Sequence, residues 1–218
     1  DKGSLFVIAG GVTTELSAGN GPVSVAVNDF NGDGRADFAV ASLRSNNIVG
    51  RMSGETGERV LATARSPRAV TTGLVNDDSF LDLIVVATGF DGDDSSEVIV
   101  MLGDGRGNFA PQKQTIPGRG SVDVAVGNFD DDASDEIVIA NYGGSVTVND
   151  FMGGRLVTIA TVETEVGIEA VGARDVNRDG RTDVVIANAK AETIELFLNT
   201  SGGFVSNKTI TGVASPYD

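Results

Sequence analysis

The sequence of 218 residues contains no cysteine and no histidine. Without cysteine the chain has no disulfide framework, no thiolate metal site and no cysteine nucleophile. Without histidine it lacks the commonest general base and the commonest ligand of transition metals. No apolar run approaches the roughly 18 residues of a membrane-spanning helix, so we expect no membrane insertion. The chain opens at Asp1 without a signal-like segment, and we expect that any leader has been removed.

Acidic residues and glycine are abundant instead. The 31 acidic residues outnumber the 16 basic residues, which gives a net charge of −15. This charge repels nucleic acid, so we expect no nucleic-acid partner. The 29 glycines indicate many tight turns between short elements, and a hydrophobic content of 40% is enough for a core. The acidic residues either form a solvated surface or cluster to bind cations.

Four segments of the chain are similar to one another around an acidic stretch. The first positions of the four acidic stretches lie 45, 54 and 47 residues apart, which is close to the period of β-propeller blades. The segments begin at Val23, Ala69, Val122 and Glu169, and their first acidic-stretch positions are Asp29, Leu74, Asn128 and Asp175. We name the nine-residue stretches loop 1 (29–37), loop 2 (74–82), loop 3 (128–136) and loop 4 (175–183).

The residues around these loops have the pattern of strands. Residues 23–27 alternate apolar with small or polar side chains, and residues 82–87 are continuously apolar after the opening aspartate and rich in β-branched side chains. Two further strand-like runs complete each unit, for example residues 97–102 and 109–116 around the turn GDGRGN. The sequence therefore predicts an all-β fold, a β-propeller of four-stranded antiparallel blades.

The repeat divides the chain into a single propeller domain or fragment. We expect a half blade at 1–20, four blades at 21–66, 67–119, 120–165 and 166–213, and the start of another blade at 214–218. Four and a half blades leave the ring open, so we expect a larger propeller of about seven blades. The strands that would complete the ring come either from the rest of a longer propeller of which this is a fragment, from a part of this chain that the sequence does not include, or from another chain.

The motifs DFNGDGRAD from Asp29 and DVNRDGRTD from Asp175 resemble the FG-GAP/VCBS repeats of integrin α-subunit propellers and of many secreted bacterial proteins. The segments MLGDGRGNF from Met101 and FLNTSGGF from Phe197 look like the outer hairpin of that family. The resemblance implies an extracellular, secreted or cell-surface module that binds calcium and serves in adhesion.

Loops 1 and 4 carry the clearest calcium motif. Oxygen atoms from positions 1, 3, 5, 7 and 9 of such a loop suit Ca²⁺, which takes six to eight oxygen ligands. Glycine at position 6 allows the chain to turn back. The predicted ligands are Asp29, Asn31, Asp33, the carbonyl of Arg35 and Asp37 in loop 1, and Asp175, Asn177, Asp179, the carbonyl of Arg181 and Asp183 in loop 4.

Loops 2 and 3 depart from the motif. Loop 3 has Ala133 in place of glycine, and we expect it to bind calcium more weakly. In loop 2 the side chain of Leu74 cannot bind an ion, so loop 2 is either empty or binds calcium with the help of water. The remaining candidates are Asn128, Asp130, Asp132, the carbonyl of Ser134 and Glu136 in loop 3, and Asn76, Asp78, the carbonyl of Phe80 and Asp82 in loop 2. The alternative for every loop is a turn rich in Asp and Asn that binds no metal.

The leading functional hypothesis is a calcium-stabilised propeller that acts in adhesion or ligand binding, or as a scaffold, for a protein or glycan partner. The resemblance to integrin propellers places ligand contacts on loops at the end opposite the calcium loops. In this chain those loops carry Arg44, Arg65, Arg68, Phe90, Arg119, Tyr142 and Lys190, although scattered surface charge is the alternative explanation. A carbohydrate-active enzyme, a lyase or hydrolase, and a purely structural spacer of a large surface protein are the other hypotheses. We identify no catalytic residue, since the sequence has no nucleophile elbow and no phosphate loop.

Overall fold

A computed structural model describes residues 2–9, 12–88, 95–117, 120–130, 132–214 and 216 of the chain. This part of the chain contains eighteen β-strands and no helix, so none of it forms a helix able to cross a membrane. Phe90 and Arg119 lie outside the described residues, as does most of the segment 214–218 that we expect to begin another blade.

The strands form five antiparallel sheets, each built from consecutive strands of the chain. A two-stranded sheet, the half blade, precedes four four-stranded sheets, which we name blade 1 (β3–β6), blade 2 (β7–β10), blade 3 (β11–β14) and blade 4 (β15–β18). The strands are β1 (Lys2–Ala9), β2 (Val12–Asn20), β3 (Pro22–Asn28), β4 (Asp37–Ser42), β5 (Asn47–Arg51), β6 (Arg59–Thr63), β7 (Pro67–Gly73), β8 (Asp82–Thr88), β9 (Ser95–Gly103), β10 (Phe109–Pro117), β11 (Ser121–Gly127), β12 (Glu136–Asn141), β13 (Ser145–Met152), β14 (Arg155–Glu163), β15 (Ile168–Arg174), β16 (Asp183–Asn188), β17 (Thr193–Thr200) and β18 (Gly203–Thr211).

The second strand of each blade forms the centre of the core. In β8 six consecutive residues are buried, because this strand has a neighbouring strand on each side and an apolar sheet against both of its faces. A strand buried on both faces requires the continuous apolar run that the sequence shows. The fourth strands are mostly exposed, as in β18. The prediction of an all-β chain with four-stranded antiparallel sheets is therefore confirmed.

Consecutive blades pack face to face, and their first strands β3, β7, β11 and β15 lie next to one another. One apolar cluster fills each of the three boundaries between blades. At the first boundary Ala41 and Ile48 of blade 1 belong to the same cluster as Val85 and Met101 of blade 2. Each blade therefore uses one face for the blade before it and the other face for the blade after it.

The face that each blade turns toward the next blade is buried in blades 1 to 3 and partly exposed in blade 4. The residues of this face at three equivalent positions are 0% exposed in the first three blades: Ala39, Ala41 and Ile48; Ile84, Val86 and Val98; Val138, Ala140 and Val146. Their equivalents Val185, Ala187 and Ile194 in blade 4 are only partly buried and line a shallow groove. We name this surface of blade 4 the open face.

Candidate metal centres

The four acidic loops occupy equivalent places, each between the first and second strand of a blade. Because the blades stack with the same strand order, all four loops lie at one end of the stack. The fold thus brings the candidate ligands of each loop into one turn and sets the four turns side by side.

The acid at position 9 begins the second strand of each blade and is fully buried: Asp37, Asp82, Glu136 and Asp183. One oxygen of each carboxylate accepts a hydrogen bond from the backbone N–H at position 2 of its own loop. The donors are Phe30 at 2.8 Å, Val75 at 3.2 Å, Phe129 at 2.6 Å and Val176 at 3.0 Å. A hydrogen bond to a buried carboxylate is stronger than a neutral one, so these contacts hold the loops closed.

The second oxygen of the position 9 acid distinguishes loop 3 from the others. In loops 1, 2 and 4 this oxygen accepts the backbone N–H of Ser53 at 2.5 Å, Gly103 at 2.9 Å and Asn199 at 2.9 Å. Gly103 and Asn199 lie at the end of the third strand of the same blade, and Ser53 lies two residues beyond it. Glu136 Oε1 is buried and has no hydrogen-bond partner among the described residues. A buried oxygen without a donor costs free energy, because it has lost its water.

Positions 3 and 5 form the same pair of turns in all four loops. The side-chain oxygen at position 3 accepts the N–H of position 5, and the carboxylate at position 5 accepts the N–H of position 7. Such turns are typical of Asp and Asn with or without a metal. They therefore establish the shape of the loops and do not show whether a metal ion binds there.

Loops 1 and 4 share a further feature at position 1. The Asp29 carboxylate accepts the N–H groups of Gly32, Asp33 and Gly34 at 2.7, 3.1 and 2.7 Å. Asp175 accepts the three equivalent N–H groups at 2.6, 3.2 and 3.0 Å. Position 6 is a glycine with positive φ in both loops, +78° at Gly34 and +91° at Gly180, as the motif predicts.

The carboxylates come closest together in loop 3. One oxygen from each of Asp130, Asp132 and Glu136 lies within 4.8 Å of the other two, and no other set of three acids among the described residues meets this distance. The sequence predicts the clearest calcium sites in loops 1 and 4 and weaker binding in loop 3, and these stay predictions. In loop 1 Ser53 contacts two of the acids: its N–H donates to Asp37 Oδ1 and its hydroxyl donates to Asp33 Oδ2, both at 2.5 Å.

The environment of these acids changes their pKa values in opposite directions. Burial, and then the negative charges of Asp130, Asp132 and Asp150, raise the pKa of Glu136 to about 7. Burial raises the pKa of Asp82 to about 6, with a smaller contribution from Asp78. The Ser53 hydroxyl lowers the pKa of Asp33. Loop 3 therefore concentrates negative charge at a buried carboxylate, the arrangement that a cation relieves.

Loop 2 is held by a contact that the sequence did not reveal. Leu74 occupies position 1, and its N–H donates to Asp135 Oδ2 of loop 3 at 3.0 Å, while the Asp135 N–H donates to the Leu74 carbonyl at 2.6 Å. The remaining candidates Asn76 and Asp78 contact each other, since Asn76 Nδ2 donates to Asp78 Oδ2 at 2.9 Å. Position 1 of loop 2 is thus fixed by a neighbouring loop.

Aromatic residues at position 2 connect two of the loops to the next blade. The rings of Phe30 and Phe109 meet edge to face with centroids 5.5 Å apart, and those of Phe129 and Phe204 lie 5.8 Å apart. Asn199 Nδ2 also donates to the Phe129 carbonyl at 2.9 Å. The signal for this contact in the sequence is a phenylalanine at position 2 of loops 1 and 3.

The candidate partner-binding residues lie at the opposite end of the blades. Arg44, Arg65, Arg68 and Lys190 are exposed, and Tyr142 is 44% exposed. Arg44, Tyr142 and Lys190 lie in the connections between the second and third strands, Arg65 lies in the segment that joins blades 1 and 2, and Arg68 lies at the start of β7.

The stacked four-stranded sheets are also found in solved structures of other proteins. The chain is similar to BBS1N, a β-propeller solved in complex with ARL6DN from a crystal soaked with lead, with a TM-score of 0.62. The chain has a β-propeller-like fold. The match covers 88% of this chain and 57% of the BBS1N chain at 15% sequence identity, which shows similarity of fold alone. No family model and no curated protein sequence matches the chain.

Proposed function

We propose that this propeller binds calcium through its acidic loops and serves as a binding or scaffolding module. The observation that carries the proposal is Glu136, a fully buried acid beside Asp130 and Asp132, one of whose oxygens finds no partner in the part of the chain that the structure describes. A cation at loop 3 would supply the missing partner of Glu136 Oε1 and offset the repulsion among three carboxylates.

Calcium fits the chemistry of these loops better than other common metals. All candidate ligands are carboxylate, amide or carbonyl oxygens, and the chain has no histidine or cysteine for a transition metal. Mg²⁺ demands near-ideal octahedral geometry, whereas Ca²⁺ accepts irregular sets of six to eight oxygens. The nearly identical hydrogen bonds of loops 1 and 4 extend the proposal to those loops, and loop 2 is the weakest candidate.

We propose further that the repeats are of the FG-GAP/VCBS type and that the protein functions outside the cell. Exposed calcium loops of extracellular modules have dissociation constants of about 10⁻⁴ to 10⁻³ M, which match extracellular calcium levels. A protein or glycan partner would bind at the end opposite the loops, where Arg44, Arg68, Tyr142 and Lys190 are exposed. Calcium would then act structurally, by holding rigid the blades that present this end.

We also infer that the chain is part of a larger propeller of about seven blades. The open face of blade 4 supports this, because its equivalents in the first three blades are completely covered by the next blade. The match covers only 57% of the BBS1N chain, so that β-propeller protein has further chain beyond the part that this one resembles.

A thermal melt with calcium and with EGTA tests calcium binding. Ligands that bind only the folded state raise stability, by about 2.7 kcal/mol per site at 100 times the dissociation constant. For a chain of this size we expect calcium to raise the melting temperature by roughly 5–10 °C. Magnesium at the same concentration is the matched control and should raise it much less. An equal melting temperature in calcium and EGTA, with no bound calcium by elemental analysis, would refute the proposal.

A further inference from the structure

The boundary between blades 2 and 3 differs from the other two boundaries at the loop end. Phenylalanine pairs join loops 1 and 3 to the following blade, whereas loop 2 has Val75 at position 2. Loops 2 and 3 are joined instead by the two hydrogen bonds between Leu74 and Asp135. Loop 2 is therefore attached directly to loop 3.

Beside this attachment lies a cavity of about 300 Å³ between the two loops. Asn76 and Asp77 of loop 2 line it together with Asp132 and Ser134 of loop 3 and Asp150 of β13. Three carboxylates from two blades thus face one space, and the described residues that line it include no lysine or arginine.

The cavity adjoins the carboxylate cluster of loop 3, because Asp132 belongs to both. The cluster contains the buried Glu136, whose Oε1 has no partner among the described residues and which therefore points independently to a missing ligand. Asp150 also experiences the charges of Asp132, Asp130 and Asp77, so the negative potential is continuous from the cluster to loop 2.

We propose that loops 2 and 3 form one composite site for a divalent cation, to which Asp77 contributes across the boundary between blades and Asp150 contributes from β13 of blade 3. The proposal rests on calcium binding by loop 3. Asp130, Asp132 and Glu136 are close enough together to contact the ion directly. Asp77 and Asp150 lie outside that set and act through water, for which the cavity has room, since a water molecule takes about 30 Å³.

The consequence is a role for loop 2 that its own sequence does not predict. Leu74 removes one ligand from loop 2, but Asp77 still adds its charge to the ion of the neighbouring loop. Calcium at the composite site thereby links blade 2 to blade 3. The side chain of Asp77 accepts no hydrogen bond in the described part of the chain, so we expect Asp77→Asn to leave the local fold unchanged.

A calcium titration followed by two-dimensional ¹⁵N NMR tests this inference. The variants are Asp77→Asn and Asp150→Asn, and the control is Glu165→Gln, which removes the same charge from an exposed residue at the opposite end of the blades. In the wild type, amide signals of residues 76–78 and 132–134 should shift with one common midpoint. Each cavity variant should raise that midpoint about fivefold, the effect of one unit charge on a divalent ion under water-like screening. Loops 1 and 4 in the variants, and every loop in the control, should keep their midpoints.

Two other outcomes separate this inference from the calcium proposal itself. If the loop 3 signals titrate with calcium while loop 2 stays unchanged, or if both cavity variants keep the wild-type midpoint, the composite site is refuted and calcium binding stands. If no loop responds to calcium in the wild type, both proposals are refuted.

Discussion

Arg178 has a backbone φ of +65°, a conformation that glycine adopts readily and that costs an L-residue roughly 1 kcal/mol. The equivalent residue of loop 1 is Gly32, with a φ of +77°. The two loops therefore have the same shape although only one has glycine at position 4. The three N–H groups that converge on Asp175 offset the strain at Arg178.

Substitutions at Arg178 and Gly180, positions 4 and 6 of loop 4, should change the free energy of unfolding in opposite directions. Arg178→Gly relieves the strain and should raise the free energy of unfolding by about 0.5–1 kcal/mol. Gly180→Ala should lower it by about 1–2 kcal/mol, because φ is +91° there while an added Cβ would meet no atom within 4 Å, so the cost is that of the backbone alone. Urea unfolding in EGTA measures both. A Gly180→Ala protein as stable as the wild type would show that loop 4 adopts another conformation.

At the scale of one loop, the acid at position 9 both closes the turn and determines its response to pH. Three loops use aspartate, and both of its oxygens receive backbone donors. Loop 3 uses the longer glutamate, and one oxygen has no donor among the described residues. Glu136 is therefore the acid whose ionisation is most costly in the absence of a cation.

Without calcium, Glu136 should make the protein less stable as the pH rises toward 7 and beyond. Its pKa is about 7 in the folded chain against an ordinary 4.5, so between these values the folded state holds a proton that the unfolded state releases. Stability thus increases as the pH falls from about 8 to 4.5. Glu136→Gln should abolish most of this slope and raise stability in EGTA at pH 8 by about 1–2 kcal/mol.

Urea unfolding of the wild type and Glu136→Gln at several pH values in EGTA provides the measurement. A smaller slope should persist in the variant between about pH 6 and 4, because Asp82 also has a raised pKa of about 6. In calcium the order should reverse, with the wild type gaining more stability than the variant. Parallel pH profiles for the two proteins would contradict the assignment of the charge at loop 3 to Glu136.

The loops were only partly predictable from the sequence. Spacing and composition gave the position of each loop and the glycine turns at Gly34 and Gly180, because these depend on neighbouring residues. The convergence of acids in loop 3 depends on the length of the Glu136 side chain and on where its donors lie. The contact between Leu74 and Asp135 joins residues 61 positions apart, and no local pattern indicates it.

At the scale of the whole molecule, the apolar pattern of every blade is suited to burial on both faces. The second strands of all four blades are similarly apolar, which made the four-stranded repeat readable from the sequence. Because the strands are so similar, the sequence does not show which faces pack against a further blade. Val185 and Val138 occupy equivalent positions in similar strands, and they differ only in what packs against them. Only the three-dimensional arrangement distinguishes them.

One substitution made at two equivalent positions tests this arrangement. Val146 is fully buried between blades 3 and 4, and Ile194 is its equivalent on the open face. Val146→Lys buries a charge and should destabilise the protein by more than about 3 kcal/mol, whereas Ile194→Lys leaves the ammonium group in water and should cost less than about 1 kcal/mol. Urea unfolding compares them, with sedimentation to verify that the chain is monomeric. Equal losses of stability in the two variants would mean that the open face is covered in solution. A further blade would bury Ile194 as blade 4 buries Val146. In a longer chain with additional blades, the two lysine substitutions should therefore become equally costly.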